Sequence, residues 1–476
     1  MNIGTRVVQP HGLVPITGPL GMPHIIVRYP GWPGPTACRR KRIVTDEAAP
    51  LRHLLTPMTV AWLPPASVLR SGVGHLRQSP GLAALWCILL AVCLASCTTP
   101  RVPFTADQQA GASVPNIPHA RTWADRSDGF YASDFRPAPG TDGRMRILAL
   151  SGGGAEGAFG AGVLAGWTKS GARPKFSVVT GSSIGGLIAP YAFLGPSYDA
   201  ALEQIFTEGQ LHDLLKIDGL NAVFGSAVFK TEPVRDLVNR YVDDPLLEAI
   251  AAEHRRGRRL YVTTTNIDAQ RTVIWNMGAI AASSSPTRLE LFRNILIATA
   301  AIPGMLSPGY IEVEVAGQRF QEMHVDGGVT SNIMGVPESL LLKNNSQSMG
   351  PPFQLFIILN GKIAPDFSVT DRGTLSILSR SYYTTVKANT RNTLIATYAF
   401  ARRNGWNFRM IAIPPSYKIA ITSINFDTDY MRRLFALGQQ LGAQGGQWHS
   451  SPMDIEAERT VTQSRSASVP HPTQSP

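Results

Sequence analysis

Twice in this chain an apolar run breaks into glycines and then resumes. The first case is Arg146-Ile-Leu-Ala-Leu150, followed by Ser151-Gly-Gly-Gly-Ala-Glu-Gly157. The second is Phe176-Ser-Val-Val-Thr180, followed by Gly181-Ser-Ser-Ile-Gly185. Short runs of large and β-branched aliphatic residues bounded by small ones predict buried strands. Helices follow, from Ala158 to Ser170 with Gly171 as the stop, and from Leu187 to Phe193. Pro190 is expected to strain the early turns of the second helix. A buried strand, a tight turn and a helix, used repeatedly, build a mainly parallel sheet covered on both faces.

The rest of the chain reads the same way. Arg259–Thr264, Phe353–Leu359 and Phe408–Ile413 are predicted strands, and 374–403 a long helix. Ile311-Glu-Val-Glu-Val315 alternates strictly, and Ala316-Gly317 turns it back into a partner from Gln318 to Val325. The predicted fold class is therefore α/β with a mainly parallel central sheet.

Charge and composition change along the chain. The formal net charge is +11, of which residues 1–96 carry +7. A nucleic-acid partner would need a basic stripe on the folded part, so none is expected. Residues 1–57 are rich in Pro and Gly and have no period. They are read as a non-native or disordered extension, with Met58 as the expected start; a genuine extension is the alternative. Residues 58–96 are read as a signal peptide, in which Arg70, His75 and Arg77 precede an apolar run from Leu82. That run is about 15 residues, short of the ~20 that cross a bilayer. Leu94-Ala-Ser-Cys97 resembles the bacterial lipobox, which makes Cys97 a lipidation site and an N-terminal anchor to a membrane surface. Thr98, in place of Asp, resembles outer-membrane lipoproteins, so the expected location is the cell envelope, at the outer membrane. The four cysteines are Cys38, Cys87, Cys93 and Cys97; cleavage before Cys97 leaves one, already lipidated, and no internal disulfide. Residues 97–140 are read as a tether and lead-in, 141–447 as the catalytic domain, and 448–476 as a polar, disordered tail.

Three stretches carry chemistry. Gly181-Ser-Ser-Ile-Gly185 fits G-x-S-x-G, which presents a nucleophile on a tight strand-to-helix turn. It assigns Ser183 as nucleophile and Ser182 as bystander. Gly152, Gly154 and Gly157 fit G-x-G-x-x-G after a strand. A dinucleotide turn would want an acidic residue about 20 positions on, and no Asp or Glu occurs from Gly157 through Tyr198. The backbone N–H groups of Gly152, Gly153 and Gly154, with that of Ile184, are instead expected to form an oxyanion hole. The third stretch is Asp326-Gly327-Gly328. Of the histidines after Cys97 (His119, His212, His254, His324, His449 and His471), only the last two follow Asp326, and both lie in or beside the tail. His324 is too close to Asp326 to share a standard triad. The economical arrangement is a dyad, with Asp326 taking the proton of Ser183 directly.

Together, Gly152-x-Gly154-x-x-Gly157, Gly181-x-Ser183-x-Gly185 and Asp326-Gly327-Gly328 resemble the patatin-like phospholipase family over roughly residues 145–415. Asn332 and Pro337 add to the likeness. The resemblance implies a three-layer α/β/α fold. It also implies a Ser–Asp dyad that cleaves acyl esters of lipids or phospholipids, with no metal or cofactor. One position departs: where relatives commonly carry Arg or Lys, this chain has Glu156. A carboxylate aimed at the oxyanion would oppose it, so Glu156 is expected to point outward.

Other features have structural readings. Arg255-Arg-Gly-Arg-Arg259 is expected to end a helix as solvated charge. Asp268 is read as a turn residue. Gly160 and Gly162 are read as close helix packing. The alternatives to a hydrolase are transfer of the acyl group to an acceptor other than water, and a catalytically silent envelope-binding lipoprotein.

Overall fold

The computed structural model describes residues 101–126, 142–212, 214, 227–341, 353–419, 426–445 and 448–453. Residues 1–57, the expected signal peptide (58–96), Cys97 and residues 454–476 lie outside these. The described chain runs α1 (Ala106–Gly111), β1 (Arg121–Trp123), β2 (Met145–Leu150), α2 (Gly157–Lys169), β3 (Val178–Ser182) and α3 (Ile184–Leu194). It continues with α4 (Asp199–Thr207), α5 (Glu232–Tyr241), α6 (Asp244–Arg255), β4 (Arg259–Asn266), β5 (Arg271–Asn276), α7 (Met277–Ala282) and α8 (Arg288–Thr299). Then come β6 (Gly309–Val315), β7 (Gln318–Asp326), α9 (Glu338–Leu341), β8 (Phe353–Leu359), α10 (Thr374–Arg403), β9 (Asn407–Ala412) and α11 (Thr428–Ala443).

The strands form one sheet in the order β1-β5-β4-β3-β2-β8-β9. From β4 to β9 the neighbours are parallel, whereas β1, β5, β6 and β7 pair antiparallel. The turn of the β6–β7 hairpin has Ala316 at φ 49° and Gly317 at φ 79°. Two consecutive left-handed residues match the twist of the flanking strands.

Strand alternation sorts side chains onto the two faces. Met145, Ile147 and Ala149 of β2 join one core with Leu340 of α9 and Leu394 and Phe400 of α10. Leu148 and Leu150 join the other, larger core with α2 to α8 and α11. The result is three layers, helix on sheet on helix, as apolar faces on both sides of a sheet require.

One register detail positions the later chemistry. β3 pairs with β4 only as far as Ser182, opposite Thr263. β4 runs on, and from Thr264 it pairs with β7, ending at Asp326. β3 and β7 thus share one edge of β4, end to end.

On the larger face, α2 and α11 approach at backbone contact. A Cβ on Gly162 would lie 2.1 Å from the Phe435 carbonyl oxygen, and one on Gly438 equally close to that of Phe159. The expected packing role of Gly162 holds. Gly160 also packs closely, against Asn360 and Ile358 of the sheet side.

Several boundaries differ from the expectations. The lead-in contains ordered structure: Thr105 and Gln108 form a capping box on α1, and β1 joins the sheet beside β5. At the other end, residues 448–453 continue the domain. Met410 and His449 exchange backbone hydrogen bonds, and the Trp448 ring lies 4.6 Å from that of Trp167. The arginine run is not all solvated. Arg258 is buried, donating to the carbonyls of Phe176 and Phe193 and pairing with Glu253. Its Nε and both terminal nitrogens find acceptors where α6, the lead-in to β3 and α3 meet, which no helix-end argument anticipates. Pro190 sits inside α3, which runs through it unbroken.

Candidate active site

β3 delivers Ser183 on a turn that only small neighbours permit. A Cβ on Gly181 would lie 2.3 Å from the Gly185 carbonyl oxygen, and one on Gly185 2.4 Å from that of Leu150. Ser183 itself has φ 53° and ψ −129°, a strained conformation for a residue with a side chain. Its N–H donates to Thr299 Oγ1 at 2.9 Å, and that hydroxyl donates to the Thr263 carbonyl at 2.6 Å. Thr299, at the last turn of α8, therefore ties the strained turn to β4. Ser182 turns away, donating to the Ser331 carbonyl at 2.9 Å.

β7 delivers Asp326 to the same point. Ser183 Oγ donates to Asp326 Oδ2 at 2.6 Å across 143 residues of sequence. Asp326 Oδ1 accepts the Gly328 N–H at 2.6 Å, so the Asp-Gly-Gly turn orients its own carboxylate. Both side chains are nearly out of solvent, Ser183 at 8% and Asp326 at 2% exposure. Burial pushes the Asp326 carboxyl up to about 6, against the opposing pull of the Ser183 and Gly328 hydrogen bonds. It is mostly ionised at neutral pH and more basic than an ordinary aspartate.

The glycine turn lies against this pair. A Cβ on Gly152 would come within 2.9 Å of Ser183 Cβ. The Gly152 N–H, however, donates to the Asn332 carbonyl at 3.0 Å. Expected as an oxyanion donor, it is instead committed to holding the loop. The N–H groups of Gly153, Gly154 and Ile184 have no acceptor among the described residues. Gly157 packs on Ile184 and Phe206, and Gly327 on Ser182 and Thr263.

Glu156 does not point to solvent. It is 2% exposed, and Tyr430 Oη of α11 donates to its Oε1 at 3.1 Å. The backbone contact between α2 and α11 carries Tyr430 there, a tertiary event with no local signature.

Other residues belong to the site without having been singled out. Asn360, directly after β8, accepts the Gly160 N–H and donates to the Ser151 carbonyl, stapling the glycine turn. A polar residue ending a buried strand at the sheet edge of both glycine turns was a usable signal. Asn332 donates to Thr390 Oγ1 of α10 at 2.9 Å. Tyr382, also on α10, reaches Gly328: a Cβ there would lie 3.6 Å from Tyr382 Oη. Burial raises the hydroxyls of Tyr382 and Tyr383, with the Asp326 charge adding to it, so both stay protonated.

His324 takes no part in the pair. It is buried beside Thr264, Glu322 and Trp275. Trp275 Nε1, a donor only, gives its hydrogen to Thr264 Oγ1. That hydroxyl then donates to His324 Nδ1, so Nε2 carries the proton and donates to Glu322 at 3.2 Å. Burial lowers the imidazole and keeps it neutral. Arg121 of β1 closes the chain by pairing with Glu322. Asp268 pairs with Arg101 and accepts the Met323 N–H, a structural role in keeping with its turn. Among the described residues, no three His, Cys, Asp or Glu side chains group as metal ligands would. None of the described helices is both long and apolar enough to cross a membrane.

Residues 148–338 match the family described as "Patatin-like phospholipase". Among solved structures, the chain is similar to VipD from Legionella pneumophila at 12% identity, covering 62% of this chain and 67% of that one, with a TM-score of 0.25. It is similar to the type III effector protein ExoU at 12% identity, covering 68% of this chain and 60% of that one, with a TM-score of 0.23. No curated protein matches the chain.

Proposed function

We propose, from the match of residues 148–338 to the family described as patatin-like phospholipase, that the chain is a serine acyl hydrolase of lipid esters working through Ser183 and Asp326. The observation that carries this reading is the 2.6 Å hydrogen bond from Ser183 Oγ to a buried carboxylate.

In the proposed sequence, Ser183 Oγ attacks the ester carbonyl carbon as its proton passes to Asp326 Oδ2. The tetrahedral oxyanion is held by the N–H groups of Gly153, Gly154 and Ile184. Collapse expels the alkoxide, which takes the proton from Asp326 and leaves an acyl-Ser183. A water molecule then attacks with Asp326 as base, and Ser183 regains its proton as the acid departs. A base lifted to about 6 by burial is closer to the operating pH than a free aspartate, which favours proton transfer. Removing one oxyanion donor typically costs ~10²–10³ in rate. The substrates proposed are carboxylic esters of phospholipids and related lipids.

The test is hydrolysis of a phospholipid, a lysolipid and a short-chain ester by wild type, Ser183→Ala and Asp326→Asn, alongside labelling by a fluorophosphonate. Wild type should turn over and be labelled, and both variants should lose turnover. Turnover retained by folded Ser183→Ala removes Ser183 from its role.

We further propose that Cys97 is lipidated and tethers the domain to the outer membrane of a cell envelope. Its support is the lipobox-like Leu94–Cys97 after a basic flank and a short apolar run. Incorporation of labelled palmitate that disappears in Cys97→Ser tests it.

A further inference from the structure

Asn332 lies just after the Asp-Gly-Gly turn, and the two ends of its amide meet different surroundings. Nδ2 donates to Thr390 Oγ1 at 2.9 Å, and that hydroxyl gives its own hydrogen to the Val386 carbonyl at 2.7 Å. A hydroxyl has one hydrogen, so Thr390 can only accept from Asn332, which fixes the amide with Oδ1 on the other side. Oδ1 accepts no hydrogen bond from any described residue. It stands close to both halves of the Ser183–Asp326 pair. A Cβ on Gly152 would fall 2.3 Å from it and 2.9 Å from Ser183 Cβ. A Cβ on Gly328 would fall 3.1 Å from it and 2.9 Å from Asp326 Oδ1. Asn332 is only 9% exposed, and a carbonyl oxygen so far from bulk water is normally paired. This one is left for a hydrogen that arrives with a reactant.

We propose that Asn332 Oδ1 orients the water that releases the acyl group, and so makes water the preferred acceptor over an alcohol. The inference rests on the reading of Ser183 as the nucleophile and Asp326 as the base. Once Ser183 is acylated its hydrogen is gone, and Asp326 Oδ2, which had accepted it, is open to a new donor. Water brings two hydrogens. One passes to the Asp326 carboxylate as the oxygen attacks the acyl carbon. The other is held by Asn332 Oδ1 and stays on the oxygen. Two acceptors fix the molecule with a lone pair towards the carbon. The bond from the acyl carbon to Ser183 Oγ then breaks, Asp326 returns its proton to Oγ, and the acid leaves with the second hydrogen. An alcohol has one hydrogen, which Asp326 takes; it presents a carbon where water presents a donor, so Asn332 Oδ1 gives it no help. The first half-reaction makes no use of Oδ1 either, since the departing alkoxide needs only the proton on Asp326.

The test divides one acyl-enzyme between two acceptors. The full chain is given p-nitrophenyl butyrate in buffer with added methanol. Released p-nitrophenol counts acylation, while butyric acid and methyl butyrate count the two fates of the acyl group. In Asn332→Leu, similar in size but with no acceptor, the ester-to-acid ratio should rise about tenfold over wild type. Without methanol, a burst of p-nitrophenol should precede a slowed steady phase, and the intact mass should show an acyl group retained on the protein. Labelling by a fluorophosphonate, which reads the attack by Ser183 alone, should fall far less than turnover. Thr390→Val deprives Nδ2 of its partner and lets the amide turn over, so the ratio should move in the same direction. That variant carries the test if Asn332→Leu does not fold. A wild-type ratio in the folded variant, or turnover and labelling that fall in parallel, overturns the inference and leaves the hydrolase reading standing. No turnover of the ester and no labelling of the wild type would remove that reading, and the role of Asn332 with it.

Discussion

Thr263 and Thr264 are consecutive on β4, yet their register partners are Ser182 on β3 and Asp326 on β7. One parallel and one antiparallel strand end against the same edge, and their tips present Ser183 and Asp326 to each other. The geometry of the Ser183–Asp326 pair is therefore a consequence of strand register. Thr299 locks the junction by accepting from Ser183 N–H and donating to the Thr263 carbonyl.

That lock gives a first prediction. Thr299→Val removes the acceptor for a buried N–H at a strained turn. The unsatisfied group should cost about 1–3 kcal/mol of stability. Activity on a soluble ester should fall more than folding does, because Ser183, the proposed nucleophile, loses its orientation. Thr299→Ser keeps the hydroxyl and should restore most of both. Equal activity in the Val and Ser variants would show that the bond positions nothing.

The pH profile should report Asp326. Its carboxyl, raised by burial to about 6, must be ionised to accept the proton of Ser183. In the free enzyme kcat/KM should fall about tenfold per pH unit below 6 and level off above it. A profile flat down to pH 4 would contradict the role of Asp326 as base.

The same raised carboxyl has a cost in stability, and its sign is definite. Between the unfolded value of 3.8 and about 6, the folded protein binds the proton more tightly than the unfolded chain. Stability therefore falls as pH rises through that window and stays lower above it. Asp326→Asn cannot ionise. It should be inactive but more stable than wild type at pH 7.5, by on the order of 2–3 kcal/mol, with the gain vanishing near pH 4. Chemical denaturation at the two pH values measures it.

A last prediction concerns the buried chain Arg121–Glu322–His324–Thr264. Desolvation alone would raise the Glu322 carboxyl, but its bonds to His324 and Arg121 hold it below its ordinary value. Arg121→Met strands that charge and should destabilise the fold by about 3–5 kcal/mol. Adding Glu322→Gln should recover part of the loss. A double variant no more stable than the single one would mean that the charge was not the cause.

Much of the layout was legible from local pattern. The strand, glycine turn and helix units, the β6–β7 hairpin and the 374–403 helix all follow from periodicity and turn chemistry. These are written within a few residues, where sterics act. Residues whose partners come from far along the chain were harder. Arg258 looks like surface charge until the Phe176 and Phe193 carbonyls and the Glu253 carboxylate of α6 surround it. Glu156 looks like an outward carboxylate until α11 lays Tyr430 over it. Gly152 looks like a free donor until Asn332 takes its hydrogen.

By itself the sequence determined where Cβ atoms had to be absent, and so where the backbone turns tightly and which serine stands on the turn. Only the tertiary structure decided what that serine faces. Backbone hydrogen bonds are chemically alike at every position of every strand, so nothing local in β7 says that it must end against β4 at Thr264. That pairing follows from how all the apolar faces are buried together, and it is what places Asp326, 143 residues away in sequence, within 2.6 Å of Ser183.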